Sequence, residues 1–187
     1  MSHHVYTTKG IVLALYPTKE ADKTASILTQ DLGLIRGNAR GIRKLGSKLT
    51  TSLLEFGIVK VSLVKGKNFW RVTTVTLLRN SFVELRGRRE ALKALGRVVS
   101  LLNSLVKGEE KNAELYDEFE TNLLSLLDGS VGDEEVLNWE IFTVARLLSH
   151  LGYLSKSEVP VQLEDVKNKK KHFLSMINSG IYSSDLS

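Results

Sequence analysis

The 187 residues are 42% hydrophobic and 25% charged, an ordinary globular balance that can bury one large core or two small ones. No cysteine is present, which excludes disulfides, thiolate zinc sites, iron–sulfur clusters and a cysteine nucleophile; no run of about 18 apolar residues exists, which excludes a membrane-spanning helix. The net charge of +5 is unevenly held: residues 1–80 carry 13 Lys and Arg against 4 Asp and Glu, whereas residues 81–187 carry 13 against 17.

The first elements in chain order read as strands. Gly10–Tyr16 is a short apolar run closed by Pro17. Lys23–Thr29 alternates and is rich in Thr and Ser, and Leu32–Ala39 follows the turn signals Asp31 and Gly33. Leu53–Val64 puts Val59, Val61 and Leu63 on one face, with Lys60 and Ser62 on the other. Phe69–Arg79 puts Trp70, Val72, Thr74, Thr76 and Leu78 together, opposite Arg71, Thr73, Val75 and Arg79. The link Lys65-Gly66-Lys67-Asn68 suits a hairpin, with Gly and Asn offering positive φ. Five strands within residues 1–80, with a break around Ser47–Ser52, predict a small closed barrel. An SH3-like barrel or a sandwich fragment is the structural alternative; the OB-fold is the small barrel that binds oligonucleotides on a strand face.

Near Asn80 the period becomes helical. Leu92, Leu95, Val98, Val99, Leu102, Leu105 and Val106 mark a helix stopped by Gly108. Leu115, Phe119, Leu123, Leu126 and Leu127 mark a second, bounded by Asp128-Gly129. Asp133 is the expected N-cap of a third, which runs through Val136, Trp139, Ile141, Phe142, Ala145, Leu148 and Leu151 to Gly152. A weaker fourth helix covers Leu163–Ile177, and residues 178–187 read as a frayed tail. The expected architecture is α+β, with a five-stranded OB-fold barrel over 1–80 and an all-helical domain over 81–187.

The segment Arg36–Lys48 has five basic side chains, three glycines and no acid. A glycine-punctuated basic loop on a strand scaffold lets cationic side chains and backbone amides approach a polyanion, and nucleic acid is the common one. The expected contacts are Arg36, Arg40, Arg43, Lys44 and Lys48, with Lys23 and Arg71 extending the field. Phe69, sharing a face with Arg71, is the candidate for stacking on a base; Trp70 is placed in the core. The histidines (His3, His4, His150, His172) lack metal-ligand spacing, and Gly41-Ile42-Arg43-Lys44 lacks the phosphate-loop spacing. Glu20 and Asp22 can serve either a divalent ion or a turn. No catalytic site, metal or cofactor is expected. Lys167–Lys171 is read as a solvated helix face.

These pieces, in this order, resemble a known family. Gly10-Ile11-Val12-Leu13 is followed by Glu20-Ala21-Asp22-Lys23, then Leu28-Thr29 and Gly33-Leu34. Next come Ala39-Arg40-Gly41-Ile42-Arg43-Lys44 and Ser47-Lys48. In the helical half, Trp139-Glu140-Ile141-Phe142 leads through Leu147-Leu148 to Leu151-Gly152-Tyr153. The pattern is similar to the RecO family of bacterial recombination mediators over about residues 9–80 and 133–153. Many members carry a four-cysteine zinc module after the Leu-Gly-Tyr segment. Here the chain passes instead through Val159-Pro160 to a lysine-rich helix.

The resemblance implies a non-catalytic, cytoplasmic, nucleoid-associated protein. It would bind single- and double-stranded DNA, anneal complementary strands and help load RecA at gaps covered by single-strand-binding protein. Its implied partners are DNA, a RecR-like protein, the C-terminal tail of single-strand-binding protein and, indirectly, RecA; no membrane is expected. In that picture Arg36, Arg40, Arg43, Lys44 and Lys48 hold phosphates, and protein partners contact the helical half. Two other readings stay open on composition. One is an RNA- or ribosome-binding OB-fold protein with a helical dimerisation domain; the other is a metal-dependent enzyme using Glu20 and Asp22.

Overall fold

A computed structural model describes residues 4–18, 20–67 and 69–184. Its contacts divide the chain into two units: Met1–Glu84 with Val99–Tyr116, and Leu85–Val98 with Asp117–Ser187. The strands are β1 (Val5–Pro17), β2 (Lys23–Thr29), β3 (Gly33–Ala39), β4 (Ile58–Lys65) and β5 (Trp70–Arg79), with a short helix α1 (Lys48–Ser52) between β3 and β4. They close in the order β1-β2-β3-β5-β4. The expected OB-fold is present.

Closure depends on β1 serving two neighbours. Val5–Ile11 pairs with β4, and Gly10–Pro17 pairs with β2. The change of partner falls at Gly10–Ile11, and a bulge between Val12 and Ala14 follows within the pairing to β2. A Cβ on Gly10, where both pairings meet, would come within 2.7 Å of the Ile27 side chain. The strand starts five residues before the expected Gly10 because Val5–Lys9 has little apolar signal of its own. It is held by β4, a partner about fifty residues away in sequence.

β2 has the bounds expected from its pattern, and Val59, Val61 and Leu63 of β4 point into the barrel as expected. Two strands differ. β4 begins at Ile58, after a turn in which Phe56 takes a φ of 63° and its N–H donates to Val12 O. In β5 the expected single face does not run through. Leu63 pairs with Val72 but Ser62 with Thr74, so Thr73 is an extra residue. Beyond it the inward side chains are Val75 and Leu77, while Leu78 is exposed. An inserted residue shifts a period of two by one, and every later side chain changes face.

The barrel core comprises Val12, Ala25, Ile27, Ile35, Ala39, Ile42, Leu53, Val59, Val61, Leu63, Trp70 and Val72. Within the same unit, Ser26 Oγ donates to Asn103 Oδ1 at 2.6 Å, and Asn103 Nδ2 donates to Tyr16 Oη at 2.6 Å. The β4–β5 hairpin is present, closed by Gly66 N donating to Phe69 O at 2.9 Å; Asn68 lies outside the described residues.

The remaining helices are α2 (Ser81–Glu84), α3 (Arg89–Leu105), α4 (Ala113–Leu127), α5 (Val136–His150) and α6 (Leu163–Ser184). Asp133 does not cap α5. It opens a 3₁₀ turn, Asp133–Glu135, and its carboxylate accepts from Arg88 Nε at 2.7 Å. α6 continues past the expected Ile177 because Phe173, Ile177 and Gly180 are buried, extending the apolar stripe. Lys169 interrupts it with non-helical angles. In the second unit Trp139 is buried and donates from Nε1 to Asn122 O at 2.8 Å, joining α5 to α4. None of the described helices is long and apolar enough to cross a membrane.

Candidate nucleic-acid interface

The basic segment is not one loop. Arg36 lies on the outer face of β3, Arg40, Arg43 and Lys44 lie in the turn that follows, and Lys48 opens α1; all five are exposed. None of the five side chains makes an ion pair or hydrogen bond among the described residues. In the second unit, by contrast, Arg88, Lys93, Arg97, Arg146 and Lys167 are each paired with a carboxylate. Cations left unpaired at the surface keep their full field for an external anion.

Buried and local backbone bonds fix the turn. Ile42 is buried in the barrel core, and Thr50 Oγ1 donates to its carbonyl. Asp22 Oδ1 accepts from Gly41 N at 2.7 Å, and Arg43 N donates to Ala21 O at 3.1 Å. Lys44 N bonds Gly41 O at 3.0 Å, and Ser47 N bonds Lys44 O at 3.1 Å. Gly41 has a φ of +65°, which a side chain would strain. The amides of Gly41, Arg43, Lys44 and Ser47 are therefore occupied within the protein. The expected approach of backbone amides to a polyanion is corrected at these four positions, leaving the side chains to make contact.

Asp22 thus has a structural task, as the anchor of the basic turn. Among the described residues no group of three or more His, Asp or Glu is arranged to hold a metal. Asp22→Ala should leave the Gly41 amide unpaired and cost about 1–2 kcal/mol of stability. Denaturant unfolding and amide exchange at Gly41 check this. Unchanged stability with a protected Gly41 amide would show that the turn is held otherwise.

β3 and β5 run parallel, with Gly37 opposite Trp70 and Asn38 opposite Arg71. Gly37 and Trp70 turn inward; Arg36 and Asn38 on β3, and Phe69 and Arg71 on the β5 side, share the outer side by alternation. Arg36, Asn38 and Arg40 line an open groove of about 790 Å³ together with Asp22, Thr24, Phe69, Trp70 and Glu109. Trp70 is buried as expected: Lys65 Nζ stands 5.1 Å from its ring centre and Tyr6 meets it edge-on at 5.3 Å. Lys65 also pairs with Glu109 at 2.9 Å, and that bond holds the Glu109 carboxyl below the usual carboxylate range. The same carboxylate is close enough to the indole N–H of Trp70 to be lowered further, without closing a hydrogen bond to it.

Lys23 and Arg43 meet elsewhere, in a second concavity with Leu15, Ile42, Thr50, Leu53, Leu54, Glu55 and Phe82. Lys44 and Lys48 line neither opening. The expected cations are thus spread over adjoining surfaces of the barrel, with Arg36 and Arg40 brought together. Sequence reading missed three lining residues, Thr24, Asn38 and Glu109. Asn38 was legible in principle, since it alternates with Arg36 on a strand. Glu109 carried no signal, lying some seventy residues from β3.

Residues 1–81 match the family model described as Recombination protein O N terminal. This is a RecO-like chain. It is 31% identical over 150 residues to a DNA repair protein RecO of Dehalococcoides mccartyi, a match covering 80% of this chain and 57% of that protein. A relative of the same name from Cutibacterium acnes is 31% identical over 153 residues, covering 79% and 61%. One from Roseiflexus sp. is 32% identical over 153 residues, covering 82% and 52%. The RecO-like chain therefore spans between half and two thirds of the length of these relatives. The matched N-terminal part holds the barrel and every candidate contact residue, so the resemblance read from Gly10 to Lys48 stands.

Proposed function

We propose that this protein acts in DNA repair and recombination without catalysing a covalent step, by gripping DNA phosphates on its barrel and bringing complementary strands together. The carrying observation is the group of unpaired cations, Arg36, Arg40, Arg43, Lys44 and Lys48, on a pinned turn and outer strand face of an OB barrel. Relatives named for DNA repair add to it. Annealing requires only that two polyanions be concentrated and their repulsion screened, which such a surface supplies. Lys23 and Arg71 extend the grip to the surfaces beside it.

On this reading the protein works in the cytoplasm, at the nucleoid. It handles single- and double-stranded DNA, contacts a RecR-like protein and the tail of single-strand-binding protein, and serves RecA loading indirectly. The test is annealing of two complementary oligonucleotides, bare and then coated with single-strand-binding protein, across a salt series. Acceleration of both that fades with salt is the expected result. Tight DNA binding without acceleration would remove the mediator role. A preference for structured RNA at matched salt would move the function to the ribosome-binding alternative.

A further inference from the structure

A carboxylate stands in the groove beside Arg36 and Arg40, and the fold puts it there. Glu109 lies in the irregular segment between α3 and α4. The backbone of the next residue, Glu110, packs on Gly33, where an added Cβ would collide with it. Lys111 reaches Asp31 at 3.5 Å. Pinned in this way, the segment delivers Glu109 to the groove wall. Arg36 and Glu109 also line an adjoining concavity, together with Ser104 and Lys107. A polyanion lying along both openings passes over Glu109.

A bare carboxylate at that point would oppose every phosphate near it. Lys65 offsets it, donating from Nζ to Glu109 Oε2 at 2.9 Å, with the ammonium 5.1 Å from the ring centre of Trp70. Lys65 itself lines neither opening. Its charge is held at the edge of the groove by an internal anion. The side chains are 58% and 45% exposed, and a pair so open to water is weak enough for a competing anion to break. A backbone phosphate offers the same charge and the same kind of acceptor oxygen. Gly108, next to Glu109, has open space around it, which leaves room for the carboxylate to move aside.

We propose that Lys65 is a further DNA contact reached by exchange: a backbone phosphate replaces Glu109 on its ammonium, and the displaced carboxylate turns to solvent. The proposal rests on the DNA reading above and adds to it a contact for which the protein competes with its own ligand. Such a contact forms and releases at little net cost.

The probe is a fluorescent oligothymidylate, titrated by anisotropy across a salt series. Glu109→Gln removes the competing charge and should tighten binding about 3-fold, the worth of an exposed pair. The salt slope should not change, because Lys65 meets a phosphate in either protein. Adding Lys65→Ala to that variant should weaken binding about 5-fold near 0.1 M salt and flatten the slope by about 0.7, one single-strand contact. Glu110→Gln, the same loss of charge one residue along, should alter neither affinity nor slope. Circular dichroism and the unfolding midpoint establish that each variant folds. Four results overturn the exchange: unchanged affinity in Glu109→Gln, a steeper slope in that variant, no loss on adding Lys65→Ala, or equal tightening by Glu110→Gln. Arg36→Ala with Arg40→Ala separates the two readings. Weaker binding there keeps the phosphate interface even where the exchange fails, and unchanged binding removes the interface itself.

Discussion

A protein carrying Arg36→Ala, Arg40→Ala, Arg43→Ala and Lys44→Ala together should bind single-stranded DNA about 10³-fold more weakly near 0.1 M salt than the unaltered chain. The reasoning is counterion release. Each phosphate contact on a single strand contributes about 0.7 to the slope of log affinity against log salt. Four lost contacts flatten the slope by about 3, and at one decade below 1 M that is roughly three decades of affinity. All four side chains are exposed and bonded to nothing within the protein, so their removal should leave the fold intact. Ile42, Asp22 and Thr50, which hold the turn, stay in place. A titration at four or five salt concentrations measures slope and affinity together. A folded quadruple variant with an unchanged slope would sink the assignment of this surface to DNA.

The second large effect concerns the helical unit. Glu118 of α4 lies between Arg146, at 2.7 Å and 3.2 Å, and His150, at 3.4 Å, and accepts from Asn122 Nδ2 at 3.1 Å. Burial by itself would raise the Glu118 carboxyl above 4.5. The Arg146 hydrogen bonds and charge, helped by Asn122 and His150, outweigh it and hold the group below. Glu118→Ala strands Arg146, whose side chain is only 30% exposed, and should cost about 3 kcal/mol.

The sign of the pH dependence follows from the depressed value. The Glu118 contribution is complete above about pH 4.5 and is lost as pH falls through the lower folded-state value, because the unfolded chain takes up the proton first and folding must release it. Glu118→Gln keeps much of the shape without the charge. Its deficit relative to the unaltered protein should therefore shrink from pH 7 to pH 3 in thermal unfolding. A deficit that stays constant over that range would place the stabilisation in packing instead of charge.

How legible the molecule was in its sequence depended on where each element's partner lay. β2 and the inner face of β4 were readable because alternation is written into consecutive residues. Val5–Lys9 was not, because its strand character comes from pairing with β4. The face change of β5 was hidden since nothing in Thr73-Thr74 distinguishes a bulge from two paired threonines. At the site, the cations were visible as composition, and Trp70 as core. What stayed hidden was connectivity: the Asp22 bond to Gly41, the orphan oxygen of Asn38 and the arrival of Glu109 at the groove. Each depends on a contact that local pattern does not encode.

On the DNA-gripping function proposed above, the occupied amides of the basic turn have a kinetic meaning. Phosphate sites lined by backbone N–H groups fix each oxygen in direction and seat one phosphate in one place. Here Gly41, Arg43, Lys44 and Ser47 turn those groups inward, and long side chains with free rotation face outward. A strand held by such charges lies in a shallow, nearly featureless energy valley along its own axis. It can creep by one nucleotide at little cost while remaining attached. Two strands kept together in that way sample one registration after another, and pairing itself then selects the one that stays.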